Sequence, residues 1–317
     1  MRLGLVLAGG GAKGAFEAGV VAAVEEAGLR PTVLSGTSAG ALNAAGIASG
    51  MDAARLAELW TGTAARDVHR LRRDVWRLLR LRGLFGGGGR LAGRLLDGIG
   101  WTWALETTPL RRTLERALGG VAVDVVDGLT LAVSAVEVAS GELVRFVNRL
   151  PPERRRSPRF REVAPTVDHL MASAAIPILF RPAPVAGRDF WDGGLVANTP
   201  LAPALAYEPD AAIVVTTATR QRPSPPPQSL GQAVSLLIDN VLAYSLAADL
   251  ARAEAVNVAC LTGAEVGVKR AVDLLVIEPT GLDLGHSLDF DPALAAARVA
   301  QGVAADRHAL AGWERLR

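Results

Sequence analysis

Cysteine is all but missing from this chain of 317 residues. Cys260 stands alone, so no internal disulfide can form, and four scattered histidines give a structural zinc site no ligand set. A metal would need carboxylates; neither a metal nor a cofactor is expected. Lysine is nearly as scarce: Lys13 and Lys269 are the only two, so arginine supplies 32 of the 34 basic residues, a bias of coding composition. No long apolar run exists either. The longest uncharged stretch, Pro31 to Met51, carries Ser35, Thr37, Ser38, Asn43, Ser49 and four glycines, which is small rather than lipid-like and too polar to span a bilayer. The start, Met1 to Ala8, imitates a signal peptide but is short and runs into glycines, and is read as a buried first strand. Neither sign of charge is in large excess, and at a net +2 no nucleic-acid partner is expected.

What is present is half hydrophobic, with a mean hydropathy of +0.26 and enough length to bury a sizeable core. Charge is uneven: nine arginines between Arg66 and Arg94 face only Asp67 and Asp74, a local +7 against −5 elsewhere. From Asp67 to Arg82 the residues Val68, Leu71, Val75 and Leu78 recur at helical spacing between arginines, predicting a basic amphipathic helix. Gly86 to Gly89 and the pair Trp101 and Trp103 follow it.

Elsewhere strands and helices alternate. Leu3 to Ala8 reads as a strand, Gly9 to Gly14 as a loop and Ala15 to Ala27 as a helix. The unit repeats with Thr32 to Leu34, the turn Ser35 to Gly40 and the alanine-rich Ala41 to Ala48. Further strands are expected over Val121 to Val138, Leu143 to Val147, Ala211 to Thr216 and Leu274 to Ile277, with helices over Leu230 to Ala259 and Ala293 to Ala311. Such alternation predicts a parallel sheet covered by helices on both faces.

Two glycine motifs carry chemistry. Gly9-Gly10-Gly11-Ala12-Lys13-Gly14 fits G-x-G-x-x-G between strand and helix. A dinucleotide site also needs an acidic residue about 20 positions on, and none lies between Glu26 and Asp52; a phosphate P-loop needs Lys-Ser or Lys-Thr after the second glycine, where Ala15 stands. The loop nevertheless aims backbone N–H groups at one point beside a helix N-terminus, which suits an oxyanion. Lys13 either holds the loop or adds charge. Gly36-Thr37-Ser38-Ala39-Gly40 is G-x-S-x-G between strand and helix, the arrangement of a nucleophile elbow with Ser38 at its tip. For a base, Asp192 in Asp192-Gly193-Gly194 is the better candidate, while His286 or His308 would complete a Ser…Asp…His order.

These blocks, together with Ala172 to Pro177 and Asn198-Thr199-Pro200, resemble in order and spacing the patatin-like phospholipase family. The resemblance runs from about Leu5 to Leu201 and is looser over 66–107 and beyond Pro209. It implies one domain over 1–317, a three-layer α/β/α sandwich whose motif-bearing region is 4–205 and whose remainder, 206–317, completes the fold. It also implies catalysis by a Ser38-Asp192 dyad without histidine. The loop Gly9 to Gly14, chiefly the amides of Gly10, Gly11 and Ala12, would form the oxyanion hole, with Gly36, Gly40, Gly193 and Gly194 shaping the two turns. The implied activity is a phospholipase A or lysophospholipase type of acyl hydrolysis, in the cytoplasm or at the inner membrane surface. A thioesterase, a general carboxylesterase or a non-catalytic lipid-binding protein are the alternatives. Arg70, Arg73, Arg77 and Arg80 would then touch anionic membrane, or belong to an ordinary surface helix. Head-group preference and oligomeric state are not legible.

Overall fold

A computed structural model describes residues 1–72, 102–218, 226–227, 236, 247–248, 250–262, 270–279 and 284–313. Its centre is strand β1 (Leu3–Leu7), buried along its whole length because both faces are covered. Leu3, Leu5 and Leu7 point into one core with helix α1 (Gly14–Glu26) and helix α2 (Ala39–Ala48), whereas Val6 points the other way, to Leu201 and Ala204 of helix α7 (Leu201–Leu205). Alternation along a strand thus separates two helical layers with the sheet between them. The fold is a three-layer α/β/α sandwich.

Around β1 the parallel strands are β2 (Val33–Thr37) on one side and β11 (Ala211–Val215), then β12 (Asp273–Ile277), on the other. Beyond β2 lies the long β5 (Thr130–Glu137), also parallel, followed by the antiparallel β6 (Leu143–Val147) and then β7 (Phe160–Glu162). The strand expected from Val121 is confined to β5; residues 121–129 lack ladder partners apart from one bridge, Ala122 to Thr166. Strand β10 (Arg188–Asp192), flanked by β9 (Ala183–Val185), pairs antiparallel with the last residues of β5.

That last pairing positions the site. Along one edge of β5, Thr37 is opposite Ser134 and Asp192 is opposite Ala135. The ends of β2 and β10 therefore meet head to head, and the next residue after β2 is Ser38.

The basic helix expected over 67–82 does not start there. Helix α4 (Ala65–Val68) stops at His69, which is extended, and β3 (Arg70–Leu71) pairs with β4 (Trp103–Glu106). Arg70 is ion-paired with Glu106 at 2.7 Å and Arg72 stacks 4.0 Å over Trp103, so tertiary partners override the local helical spacing. Arg70 thus carries a paired charge at the surface. Arg73, Arg77, Arg80, the glycines at 86–89 and Trp101 lie outside the described residues. So does most of the helix expected from Leu230, of which 250–261 form α8.

At the C-terminal end, α9 (Pro292–Gly312) lies on α1 at glycine contacts. A Cβ at Gly302 would sit 2.0 Å from the Phe16 carbonyl oxygen, and one at Gly19 would sit 2.0 Å from that of Val299. Two backbones are in contact, and neither can yield as a side chain would. Gly302→Leu is expected to cost about 3 kcal/mol in urea unfolding, while Ala300→Leu on the exposed face of the same helix stays within about 0.5 kcal/mol. Equal effects at both positions would mean that the close approach is not what holds α9.

Candidate active site

Ser38 occupies the tip of a turn between β2 and α2 with φ 53 and ψ −125, a conformation that a residue with a Cβ adopts only under constraint. The constraint comes from both sides. A Cβ at Gly36 would lie 2.3 Å from the Gly40 carbonyl oxygen, and one at Gly40 would lie 2.3 Å from that of Leu7, so the elbow closes only with glycine at both places. The Ser38 N–H donates to Ser173 Oγ at 2.9 Å, and Ser173 Oγ donates to the Ser134 carbonyl at 2.6 Å. Ser173 ends helix α6 (Val167–Ser173) and is fully buried. It ties the turn to the strand that registers it. Ser173→Ala would strand the Ser38 amide in a dry site and is expected to cost about 1–3 kcal/mol of stability by urea unfolding. A loss below about 0.5 kcal/mol would show water replacing the hydroxyl.

Asp192 is 6% exposed, as is Ser38. Its backbone N–H donates to the Ala175 carbonyl at 2.9 Å, fixing the end of β10, and its Oδ1 accepts the Gly194 N–H at 2.7 Å. The Ser38 side chain lies beside the carboxylate and favours its charged form. Burial pushes its pKa up to about 6, and the Ser38 side chain and the Gly194 N–H restrain that rise. The loop after Asp192 is anchored from β2: Ser35 Oγ donates to the Pro200 carbonyl at 2.8 Å and Thr37 Oγ1 to that of Ala197 at 3.0 Å.

The glycine loop faces the same place, with Gly9 next to the Ser38 side chain: a Cβ at Gly9 would lie 3.2 Å from Ser38 Cβ. Its amides have different duties. The Gly9 N–H donates to the Asn198 carbonyl at 3.0 Å, the Lys13 N–H to that of Gly10 at 3.1 Å, and the Gly14 N–H to that of Gly11. Ala12, expected to supply an oxyanion donor, instead gives its N–H to the Ser287 carbonyl at 2.8 Å. Gly10 and Gly11 keep amides with no acceptor among the described residues. Gly11 has φ 55, and a Cβ there would lie 2.1 Å from the Ser287 oxygen, so glycine is required for this closure. Lys13 is buried, not a solvated surface lysine.

Ser38 opens into an apolar cavity of about 100 Å³ walled by Leu42, Leu56, Trp60, Leu110, Leu114 and Phe290. The wall is braced from beneath. Trp60 Nε1 donates to Asn43 Oδ1 at 2.7 Å, and Asn43 Nδ2 donates to the Gly14 carbonyl at 3.0 Å and to Glu17 at 2.8 Å. Burial holds the Glu17 carboxyl well above its ordinary range, the neutral form costing least in that core.

The histidines have other places. His169 Nδ1 accepts the Thr166 N–H at 3.1 Å as a cap of α6, and its ring packs on Phe146. His69 sits between Phe180 and Phe290, with its pKa lowered by burial. His286 and His308 are exposed, and among the described residues no histidine is hydrogen-bonded to Ser38 or Asp192. Nor do three His, Cys, Asp or Glu side chains come together there.

A sequence profile described as patatin-like phospholipase matches residues 5–205, more than half of the chain. The chain belongs to that family. Patatin-like proteins are lipid acyl hydrolases, and the match takes in the glycine loop, the elbow, Ser173 and the Asp192 turn. No curated relative matches the sequence. Among solved structures, VipD from Legionella pneumophila is similar at a TM-score of 0.45 and 17% identity, over 98% of this chain and 67% of VipD. Around this patatin-like site, Ser173 and Asn198 fall within the Ala172 to Pro177 and Asn198-Thr199-Pro200 motifs, which do not mark their roles, and Thr217, which donates to the Gly9 carbonyl at 2.7 Å, lies in no motif.

Proposed function

We propose that this protein hydrolyses fatty acyl esters of phospholipids or lysophospholipids through an acyl-enzyme on Ser38. The observation that carries this reading is a buried serine at a strained elbow, beside a buried carboxylate whose pKa it lowers and opening into an apolar cavity. Ser38 Oγ attacks the ester carbonyl, Asp192 accepts its proton, and the amides of Gly10 and Gly11 receive the charge that develops on the carbonyl oxygen. The proton passes to the departing alcohol, leaving the acyl group on Ser38. Water, deprotonated by Asp192, then releases the fatty acid.

An aspartate near its usual pKa is a weak base toward an alcohol. A pKa of about 6 narrows the gap, and the register of β2 and β10 on β5 brings the two side chains together. The acyl chain lies along Leu42, Leu56 and Leu114, where each buried methylene contributes about 0.8 kcal/mol.

Turnover of lysophospholipid, diacyl phospholipid, acyl-CoA and p-nitrophenyl esters by the full chain tests this. Long acyl chains on glycerolipid esters are expected to exceed acetate by more than about tenfold in kcat/KM. Preference for acyl-CoA would make the enzyme a thioesterase, and a flat chain-length profile would make it a general esterase. No turnover together with no fluorophosphonate labelling would make it a non-catalytic lipid-binding protein. No helix among the described residues is long and apolar enough to cross a membrane.

A further inference from the structure

A second cavity, of about 280 Å³, lies on the other side of the sheet. Its residues Leu201, Ala253 and Leu274 pack with Val6 and Val33, the strand residues that point away from the core of α1 and α2. It also sits at the opposite end of the parallel strands: Val272 and Leu274 mark the start of β12, whereas Ser38 follows the end of β2. It is not an extension of the Ser38 cavity, and the mechanism above does not use it.

Its composition has two halves. Phe160, Leu201, Leu205 and Val256 form its apolar floor. Around that floor stand Arg145, Arg155, Arg252 and Arg270, against the single carboxylate of Glu208. That carboxylate is already answered: Arg154, from outside the rim, donates to Glu208 Oε1 at 3.0 Å, and Arg155 does so at 3.0 Å. The two arginines hold Glu208 down to about 2, so it remains ionised and paired at any ordinary pH. Asp210 offsets part of the Arg270 charge at 3.1 Å. Arg252 is exposed with no ionic partner among the described residues, and Arg145 lies 5.0 Å over the Phe160 ring.

The backbone here is also constrained. Glu208 has φ 54, outside the range a glutamate prefers, and its carbonyl accepts from Arg270. Strain of this kind persists only where surrounding contacts over-determine it. The rim is therefore organised in advance of any ligand. An inorganic anion would leave the floor unused, and a neutral apolar molecule would leave the arginines unused.

We propose that this cavity is a second binding site, independent of Ser38, for an anionic amphiphile: a carboxylate or phosphate head held among Arg145, Arg252 and Arg270, with an apolar chain on Phe160 and Leu201. Binding at this site does not depend on the acyl-hydrolase reading.

The full chain carrying Ser38→Ala, which retains the second cavity, tests this by calorimetry with decanoate, decyl phosphate, decanol and inorganic phosphate. One or both decyl anions are expected to bind, with decanol and inorganic phosphate each at least about tenfold weaker. Which anion is tighter identifies the head. Combining Arg145→Gln with Arg252→Gln is expected to weaken the decyl anion by about tenfold or more, with Arg252→Lys retaining part of the affinity. An unchanged melting temperature in these variants separates lost binding from lost folding. A diazirine analogue of decanoate should label peptides within 145–160, 201–208 or 250–274. Labelling confined to 38–60 and 108–118, affinity indifferent to both arginines, or equal binding of inorganic phosphate would each overturn the assignment.

Discussion

Ser38→Ala is expected to lower kcat on acyl esters by about 10⁴-fold or more and to abolish fluorophosphonate labelling, with the fold intact. The size follows from the site. Asp192, Gly10 and Gly11 remain after the substitution, but no atom is left to form the acyl-enzyme, and what survives is the slow attack of water in a polarised pocket. Alanine also keeps the φ of 53 that serine tolerates there. Ser38→Gly removes the Cβ and with it the strain, so the glycine variant should be about 1 kcal/mol more stable than the alanine variant while equally inactive. Paired urea-unfolding and turnover measurements on the two variants separate a nucleophile from a turn residue. Activity within tenfold of the parent in Ser38→Ala would leave Ser38 only its structural duty.

Much of the architecture is written locally. Leu3 to Leu7 is apolar at every position, as a strand buried on both faces must be, and the two glycine motifs stand where strands hand over to helices. Fold class and elbow follow from such short-range features. The register is different. Nothing near Asp192 announces that β10 runs antiparallel to β5 and stops one residue beyond where β2 stops, yet that pairing creates the Ser38–Asp192 contact. The oxyanion loop tells the same story: the Ala12 amide is taken by Ser287, 275 positions away, and no pattern within the loop could signal it. Between 67 and 72 local spacing points to helix, but Glu106 and Trp103 supply partners that only a strand pairing can reach. Sequence spacing reports what neighbours along the chain prefer, and long-range pairing decides where those preferences are overruled.

Asp192→Asn should make the protein more stable and much less active. The carboxylate is raised from 3.8 to about 6 because it is buried, a penalty that applies to its charged form. A group whose folded pKa lies above its unfolded value favours folding most when protonated. Its contribution is fully present below about pH 4 and lost as pH rises through about 6. Above that, carrying the charge costs about 3 kcal/mol, two pKa units at 1.36 kcal/mol each. Asparagine has nearly the same shape, can still accept the Gly194 N–H and carries no charge. The variant should therefore gain about 2–3 kcal/mol at pH 8 and almost nothing at pH 4 in urea unfolding. Its kcat/KM should fall by about 10³–10⁴, the contribution of a positioned base. In the parent, kcat/KM should rise about tenfold per pH unit up to a midpoint near 6 and then level, because only ionised Asp192 can take the Ser38 proton. A midpoint near 4 would mean a solvated carboxylate. An acid limb that persists in Asp192→Asn but disappears in His286→Ala or His308→Ala would transfer the role of base to histidine.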